Sequence, residues 1–534
     1  MARAVTKSQV ETAQDDGLRA FYDRRHPGYQ DALGHWNFLD LCYRGGREWF
    51  ATNIWKYHKE GTKEYADRLD RAYRFNHTRE VVELVHKYLY KAGVTRNEVD
   101  APDEVKKFWK NATLKGLGVD QMMRQNSVGN SIGGRVAIVI DNNIVTEVMT
   151  ESGTARKLSK KESEKLGGRV YGYVVPVKDI LDYAFDEDGD GNLLWIKLRE
   201  LVRDDSDPIN STGEYVSRVR LWTRTSWQLY EEIADGNANS DKAKMNVKLY
   251  DQGDHNLGFV PVYLSDHTIG DDPYHAPGLI DDIAYLDRAV ANYLSSLDAI
   301  IQDQTFSQLA IPAQSVQQGD DMFKKVMEMG TKRIFVYDGG AGSSAVPVYL
   351  SPDPKQAGVI LSVISKIINE IYHTIGLAGE RTKEDNSVGI DNSSGVAKAY
   401  DFERVNSLLL TKAQSSEAVE NWIVNTVLAW HKKAPPAEPL VVYPTTFDVM
   451  RLIDDLVTAE ALAKVEAPIE VRRLHMRGTV SKLFPQISIE ERKKLEASID
   501  DWLEGTDQLL PPTDFGGAPV AAPNRQGSVT ADTE

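Results

Sequence analysis

Asp186, Asp188 and Asp190 stand at alternate positions with Gly191 sixth in the run, which sets out the beginning of a calcium loop. Such a loop works because oxygen ligands converge on one hard cation while a glycine permits the sharp turn. Its twelfth position needs a bidentate Glu, and here it is Lys197. The flanks ILDYAF and LLWIKL read as strands, so the plainer expectation is an acidic hairpin turn. The rival expectation is a calcium- or metal-dependent enzyme or structural protein centred on Asp186 to Asn192.

Other chemistry finds less support. No GxxxxGK[ST] occurs, and DGGAGSS lacks a Lys before its serines, so the phosphate cradle of an ATP-driven motor is missing. His77 and His86 stand nine residues apart on a helical segment without an HExxH or a cysteine pair, which reads as satisfied or surface histidines instead of a zinc site. SVGNSIGG and GLAGERT place hydroxyls near glycines but form no GxSxG elbow, and both read as loops. The single cysteine, Cys42, lies among apolar neighbours in FLDLCYRGG and reads as a buried structural thiol. No catalytic residue, metal or cofactor is expected.

Composition bounds the remaining possibilities. A chain of 534 residues, 41% hydrophobic and 27% charged, buries a large core and forms several domains. The polar start MARAVTKSQVETAQDDG and the lack of a long uncharged run lead to the expectation of a soluble, intracellular protein without a membrane partner. A formal charge of −16 argues against gripping nucleic acid, which needs clustered Lys and Arg. Acidic walls would still suit a conduit that surrounds DNA without binding it.

The elements that would position any site follow from periodicity. LDLCYRGGREWFATNIW and EYADRLDRAYRFNHTREVVELVHKYLYKAG read as helical, the latter closed by Gly93, with Leu69, Ala72, Tyr73, Val81, Val82, Leu84, Val85 and Leu89 at helical spacing. A further helix is read around DEVKKFWKNATLKGLGVDQMMRQNSVGNS. GRVAIVIDNN, GRVYGYVVPVKDILDYAFD, NLLWIKLREL, YVSRVRLWTRTSWQLYEE and KMNVKLYDQG then read as a largely antiparallel sheet. The fold class is α+β, mostly helical. HNLGFVPVYLSDHTIGDDPYHAPG reads as a loop.

Two rods come next. LIDDIAYLDRAVANYLSSLDAIIQDQ carries an apolar face of Ile280, Ile283, Ala284, Leu286, Val290, Tyr293, Leu294, Leu297 and Ile301. DPKQAGVILSVISKIINEIYHTIGL begins with Asp353 as cap and Pro354 at the first helical position. At ~1.5 Å per residue each spans about 30–35 Å. They bracket a small α/β insert with strands around KRIFVYD and AVPVYL, which suggests an antiparallel pair capped at one end. A polar, glycine-punctuated loop follows, then a rod of about 55 Å from Gly395 that KKAPPAEP must end. The last helical region runs from TFDVMRLIDD to WLEG, and the Pro/Gly/Ala-rich terminus reads as disordered.

Three stretches, YADRLDRAYRFNHTREVVELVHKYLY, HNLGFVPVYL through GLIDDIAYLDRAVANYLSSLDAII, and NSSGVAKAYDFERVNSLLLTKA, resemble the portal proteins of tailed bacteriophages. The likeness covers most of Tyr65 to Leu503 as an order of elements. It implies a wing over residues 1–275, a first stem helix over 276–303, a clip over 304–352 and a second stem helix over 353–377. A tunnel loop over 378–394, a long wing helix over 395–445, a helical crown over 446–505 and a tail over 506–534 complete the scheme. It also implies a ring, usually a dodecamer, at one capsid vertex of the virion, assembled in the host cytoplasm. Double-stranded DNA would pass through it, and terminase, a head-completion adaptor, scaffolding protein and major capsid protein would be its partners. The tunnel loop would then project into the channel, with Arg381, Thr382, Lys383, Glu384, Asp385, Asn386, Ser387, Asn392, Ser393 and Lys398 as candidate contacts. In a single chain Arg381, Lys383, Lys398 and Arg404, balanced by Glu380, Glu384 and Asp385, read as a solvated, mixed-charge surface. Repeated about an axis, they become bands of charge. The plainer alternative is an ordinary connection between two helices.

Overall fold

The computed structural model describes residues 17–58, 60–91, 93–143, 147–149, 155–157, 167–235, 244–268, 276–305, 308–312, 334–337, 346, 348–350, 354–376, 395–445, 447, 462, 468–483, 491, 494–499 and 501. Two compact units divide the chain, Met1–Asp448 and Val449–Glu534. After a helical stretch over residues 17–23, the first contains helices α1 (Tyr29–Arg44), α2 (Arg47–Asn53), α3 (Thr62–Arg71) and α4 (His77–Lys91).

The continuous helix expected over residues 64–93 is therefore two helices. Ala72 turns to extended backbone, Asn76 takes a positive φ of 48°, and Asn76 Oδ1 accepts the Arg79 N–H at 3.1 Å. That bond satisfies an orphan donor of the new first turn, which is why a second helix starts there. Val81, Val82, Val85 and Leu89 are buried as their spacing requires, while Tyr73, in the break, is 46% exposed.

A short strand, β1 (Thr95–Arg96), precedes helices α5 (Asp103–Lys110) and α6 (Val119–Gly133), where one helix was expected. The tight turn between them is closed by Ala112 N–H donating to Leu117 O at 2.8 Å. Helix α6 continues through the SVGNSIG run, read from the sequence both as the end of a helix and as a loop, because Ser127, Asn130 and Ser131 face the protein interior. Gly134 ends it at φ 76°, where a Cβ would lie 1.7 Å from Ala276 O, so only glycine fits.

The strands form two main sheets. β2 (Arg135–Asn142) is followed by the small hairpin β3 (Glu147–Met149) and β4 (Ala155–Lys157), and then by β5 (Val170–Pro176), which pairs with β2. β6 (Ile180–Phe185), β7 (Leu193–Arg203), β8 (Tyr215–Thr223), β9 (Ser226–Asp235) and β10 (Lys244–Asp254) make an antiparallel meander in chain order. The stretch expected as a loop before the first rod contains β11 (Val262–Asp266), which pairs Val262 with Val139 through to Asp266 with Arg135. Five residues behind a proline carry too little pattern to read alone. Their partner lies far away in sequence.

The rods are α7 (Ile283–Thr305) and α8 (Pro354–Thr374). Val290 and Leu294 cluster with Ile364, and Ile283 and Ile375 border one cleft, so the two helices run antiparallel. Between them lies a three-stranded sheet. Its centre, β12 (Gln308–Pro312), was not picked out from the sequence; β13 (Ile334–Tyr337) pairs with it parallel and β14 (Val348–Leu350) antiparallel.

Helix α9 (Gly395–Trp430) then runs through the main core, burying Val405, Leu409, Ala413, Val419, Ile423, Val424 and Val427 against α4, α5 and α6. The chain leaves it through Lys432 at φ 56° and forms β15 (Val441–Val442), paired with β1. In the second unit the described residues include α10 (Ile469–Leu483). Among the described residues no helix is long and apolar enough to cross a membrane.

Candidate functional site

The loop residues singled out from the sequence, Arg381, Thr382, Lys383, Glu384, Asp385, Asn386, Ser387, Asn392 and Ser393, lie outside the described residues. Lys398 falls in the first turn of α9. What the structure fixes is the frame from which that loop departs. At the end of α8, Ile371, Tyr372 and Ile375 are buried in the main core. Tyr372 Oη donates to Glu80 Oε2 at 2.5 Å and lies 3.2 Å from His77 Nδ1, which ties α8 to α4. A cleft of about 490 Å³ lies beside this junction, lined by His267, Pro277, Ile283, Thr374, Ile375 and Leu408.

One turn along α9 from Leu408, Lys412 is buried and lies against α6 and the residue after β11. Its Nζ donates to Asn130 Oδ1 at 2.8 Å and Ser131 Oγ at 2.6 Å, and lies 2.9 Å from His267 Nδ1. Three acceptors match the three donors of an ammonium group, so His267 Nδ1 presents its lone pair and the ring proton sits on Nε2. The acceptors are themselves held in place. Ser131 Oγ donates to Ser127 O at 2.8 Å, and His267 N–H donates to Gly134 O at 2.8 Å. Burial pushes the Lys412 ammonium down to about 7. Burial, and then the Lys412 charge, hold His267 well below the usual imidazole range. The neighbouring carboxylate, Asp266, is engaged by Arg135 through two bonds of 2.5 and 2.8 Å. This constellation joins three elements and presents no exposed nucleophile.

Two further buried ties fix the same frame. Glu420, fully buried on α9, accepts from Arg96 Nε at 2.5 Å and from Tyr443 Oη at 2.9 Å, which locks the β1–β15 pair to the helix. Asp287 on α7 accepts from Thr78 Oγ1 at 2.7 Å and lies 3.5 Å from Arg74 Nη2, joining the rod to the α3–α4 break.

The calcium-like run is a hairpin turn between β6 and β7, closed by Asp186 N–H donating to Asn192 O at 2.9 Å. Arg224 reaches both carboxylates, 3.3 Å from Asp186 and 2.6 Å from Asp190. Lys197, at the position a calcium loop gives to Glu, is buried and donates to Phe21 O and Arg24 O at 2.5 Å each. Among the described residues no group of three or more His, Cys, Asp or Glu is arranged around a metal position. Partial burial drives His86 down to about 4, so it reads as a neutral, half-buried histidine. Cys42 is buried, accepts from Trp49 Nε1 at 3.1 Å, and has its thiol pushed up by burial. Sequence reading missed Lys412, Asn130, Ser131, His267 and Glu420. The available signal was a Lys and a Glu on the same helical face as Val405, Leu409 and Val427.

No family model and no curated protein matches the chain. Among solved structures it is similar to a chain of the neck of an empty GTA (gene transfer agent) particle computed with C6 symmetry, at 10% identity and a TM-score of 0.32, over 73% of this chain and 85% of that one.

Proposed function

We propose that the chain is a portal subunit: a non-enzymatic ring component at one capsid vertex of a phage-like virion. In this reading the ring is assembled in the host cytoplasm with scaffolding and major capsid protein, and double-stranded DNA enters and leaves through its channel. Terminase docks during packaging and a head-completion adaptor afterwards. One observation carries this reading: the chain leaves the core along α7, forms a small mixed sheet, returns antiparallel along α8, and after a segment of polar sequence enters the 36-residue α9. That order supports a stem, clip, tunnel loop and wing helix. The Arg224 contacts of Asp186 and Asp190 weigh against a calcium-centred alternative.

The test is the mass and symmetry of the purified protein by light scattering and negative-stain imaging. Closed rings with a central hole are the expected result. A strictly monomeric protein at micromolar concentration across a range of salts, with or without scaffold, would overturn the proposal.

A further inference from the structure

Helix α7 is the middle layer of three, and its neighbours approach from opposite sides. On one side α8 packs on Val290 and Leu294 through Ile364. On the other, the α2–α3 segment reaches Asn292, Ser295 and Ser296: Trp55 N–H donates to Asn292 Oδ1 at 3.0 Å, Arg68 Nη1 donates to Ser295 Oγ at 2.8 Å, and Tyr57 Oη lies 2.9 Å from Ser296 Oγ. At about 100° per residue these two sets of positions lie on opposite faces of α7. The outer face of α8 and the outer face of α3 with its preceding loop therefore point away from each other.

Both outer faces leave apolar surface in solvent. Val359 on α8 is 64% exposed; Trp55 and Tyr57 on the other side are 57% and 42% exposed. Their charges are also ordered. On α8, Lys366 and Glu370 are exposed one turn apart, and on α3, Lys63 and Asp67 are exposed one turn apart.

Contacts on α7 set the height of each charge. Arg68 meets Ser295 and Arg71 lies 3.4 Å from Asp298, so α3 runs in the same direction as α7. Helix α8 runs the other way, with Ile364 beside Leu294 and Ile375 near Ile283. At a rise of about 1.5 Å per residue, Asp67 and Lys366 lie within about 3 Å of the same height, and so do Lys63 and Glu370. Both pairs have opposite sign. Trp55, bonded at Asn292, lies at the height of Lys366; Arg288 already stands 5.5 Å from one side of its ring, which leaves the exposed side to receive the ammonium.

We infer that the outer face of α8 docks on the outer face of α3 and the α2–α3 loop of a second copy of this chain, with Lys366 against Asp67 and Trp55, and Glu370 against Lys63. Two different patches on opposite sides of one subunit make a heterologous contact, which closes into a ring when the rotation allows. The seam takes the ring axis along α7: rotation about such an axis keeps heights unchanged and carries the charge order matched within one chain to the contact between copies. The inference rests on the ring reading above, and adds which faces form its seam.

The test uses the full chain, in which the only natural cysteine is buried. The Asp67→Cys/Lys366→Cys double variant should give, on mild oxidation, a ladder of covalent oligomers, while either single variant gives none. Lys366→Glu should raise the concentration needed for assembly by about tenfold or more, and adding Asp67→Lys should restore it. Dimers from Lys366→Cys alone would overturn the seam, because they would place α8 against α8. Rings by imaging without a ladder would overturn the seam and leave the ring reading standing. A protein that forms no assembly under any condition would remove both.

Discussion

Lys412 Nζ lies 2.9 Å from His267 Nδ1, a buried amine against an imidazole nitrogen that accepts its hydrogen bond. The contact joins α9 to the end of the β11 strand, and Asn130 and Ser131 of α6 complete it. No carboxylate accepts from the ammonium among its hydrogen-bond partners, so its stability depends on three neutral acceptors and on pH.

The pH dependence has a definite sign. Lys412 titrates near 7 in the folded chain and near 10.4 when unfolded, so the unfolded state binds the proton more tightly. Stability therefore rises between about pH 7 and 10 and is flat, as far as this group is concerned, below 7. Replacing Lys412 with Met should flatten that rise, read as the difference in Tm between wild type and Lys412→Met across pH 6 to 10. Lys197, held near 8 by burial, titrates in the same window and remains in both proteins. An unchanged pH profile would place the Lys412 charge elsewhere.

Glu420→Ala should destabilise the first unit by about 3–5 kcal/mol, because it leaves the Arg96 guanidinium and the Tyr443 hydroxyl without their buried partner. Urea unfolding measures this. A loss below about 1 kcal/mol would show that water replaces the carboxylate.

Chelation should leave stability unchanged, since Arg224 already reaches Asp186 and Asp190 and a buried Lys197 stands where the twelfth ligand would be. The comparison is Tm in a metal chelator and in millimolar calcium. A rise of several degrees with calcium that Asp188→Asn abolishes would favour the metal-centred alternative.

Deleting residues 306–350 should preserve the core, because Ile283, Ile371, Tyr372 and the buried face of α9 lie outside the segment. In the portal reading the deletion abolishes terminase or adaptor binding. Circular dichroism and a pull-down against each partner separate folding from docking.

Lys383→Glu should leave rings intact, since reversing one charge on a polar loop costs at most about 1 kcal/mol. It should change late packaging or DNA retention, assayed as DNA content per particle and infectivity. Normal values for both would make the loop a simple connector, and loss of rings would make it a packing element.

Local pattern alone determined a good deal. The strands of the meander, the antiparallel rods and the limits of α9 follow from alternation, helical spacing and a proline-rich stop, each of which acts over a few residues. The same local signals identified Cys42 as a buried thiol and Asp186–Asn192 as a turn. Tertiary structure decided the rest. Whether residues 72–76 continue a helix depended on the Asn76 cap and on what Arg74 and Thr78 meet on α7. Residues 262–266 became a strand because β2 offers an edge, and residues 127–133 stayed helical because Lys412, a long way on in sequence, meets Asn130 and Ser131. A buried Lys has the same local signature as an exposed one. Only the packed arrangement of α6, β11 and α9 supplies the three acceptors that let it stay inside, since the cost of burying a charge is met by groups distant in the chain.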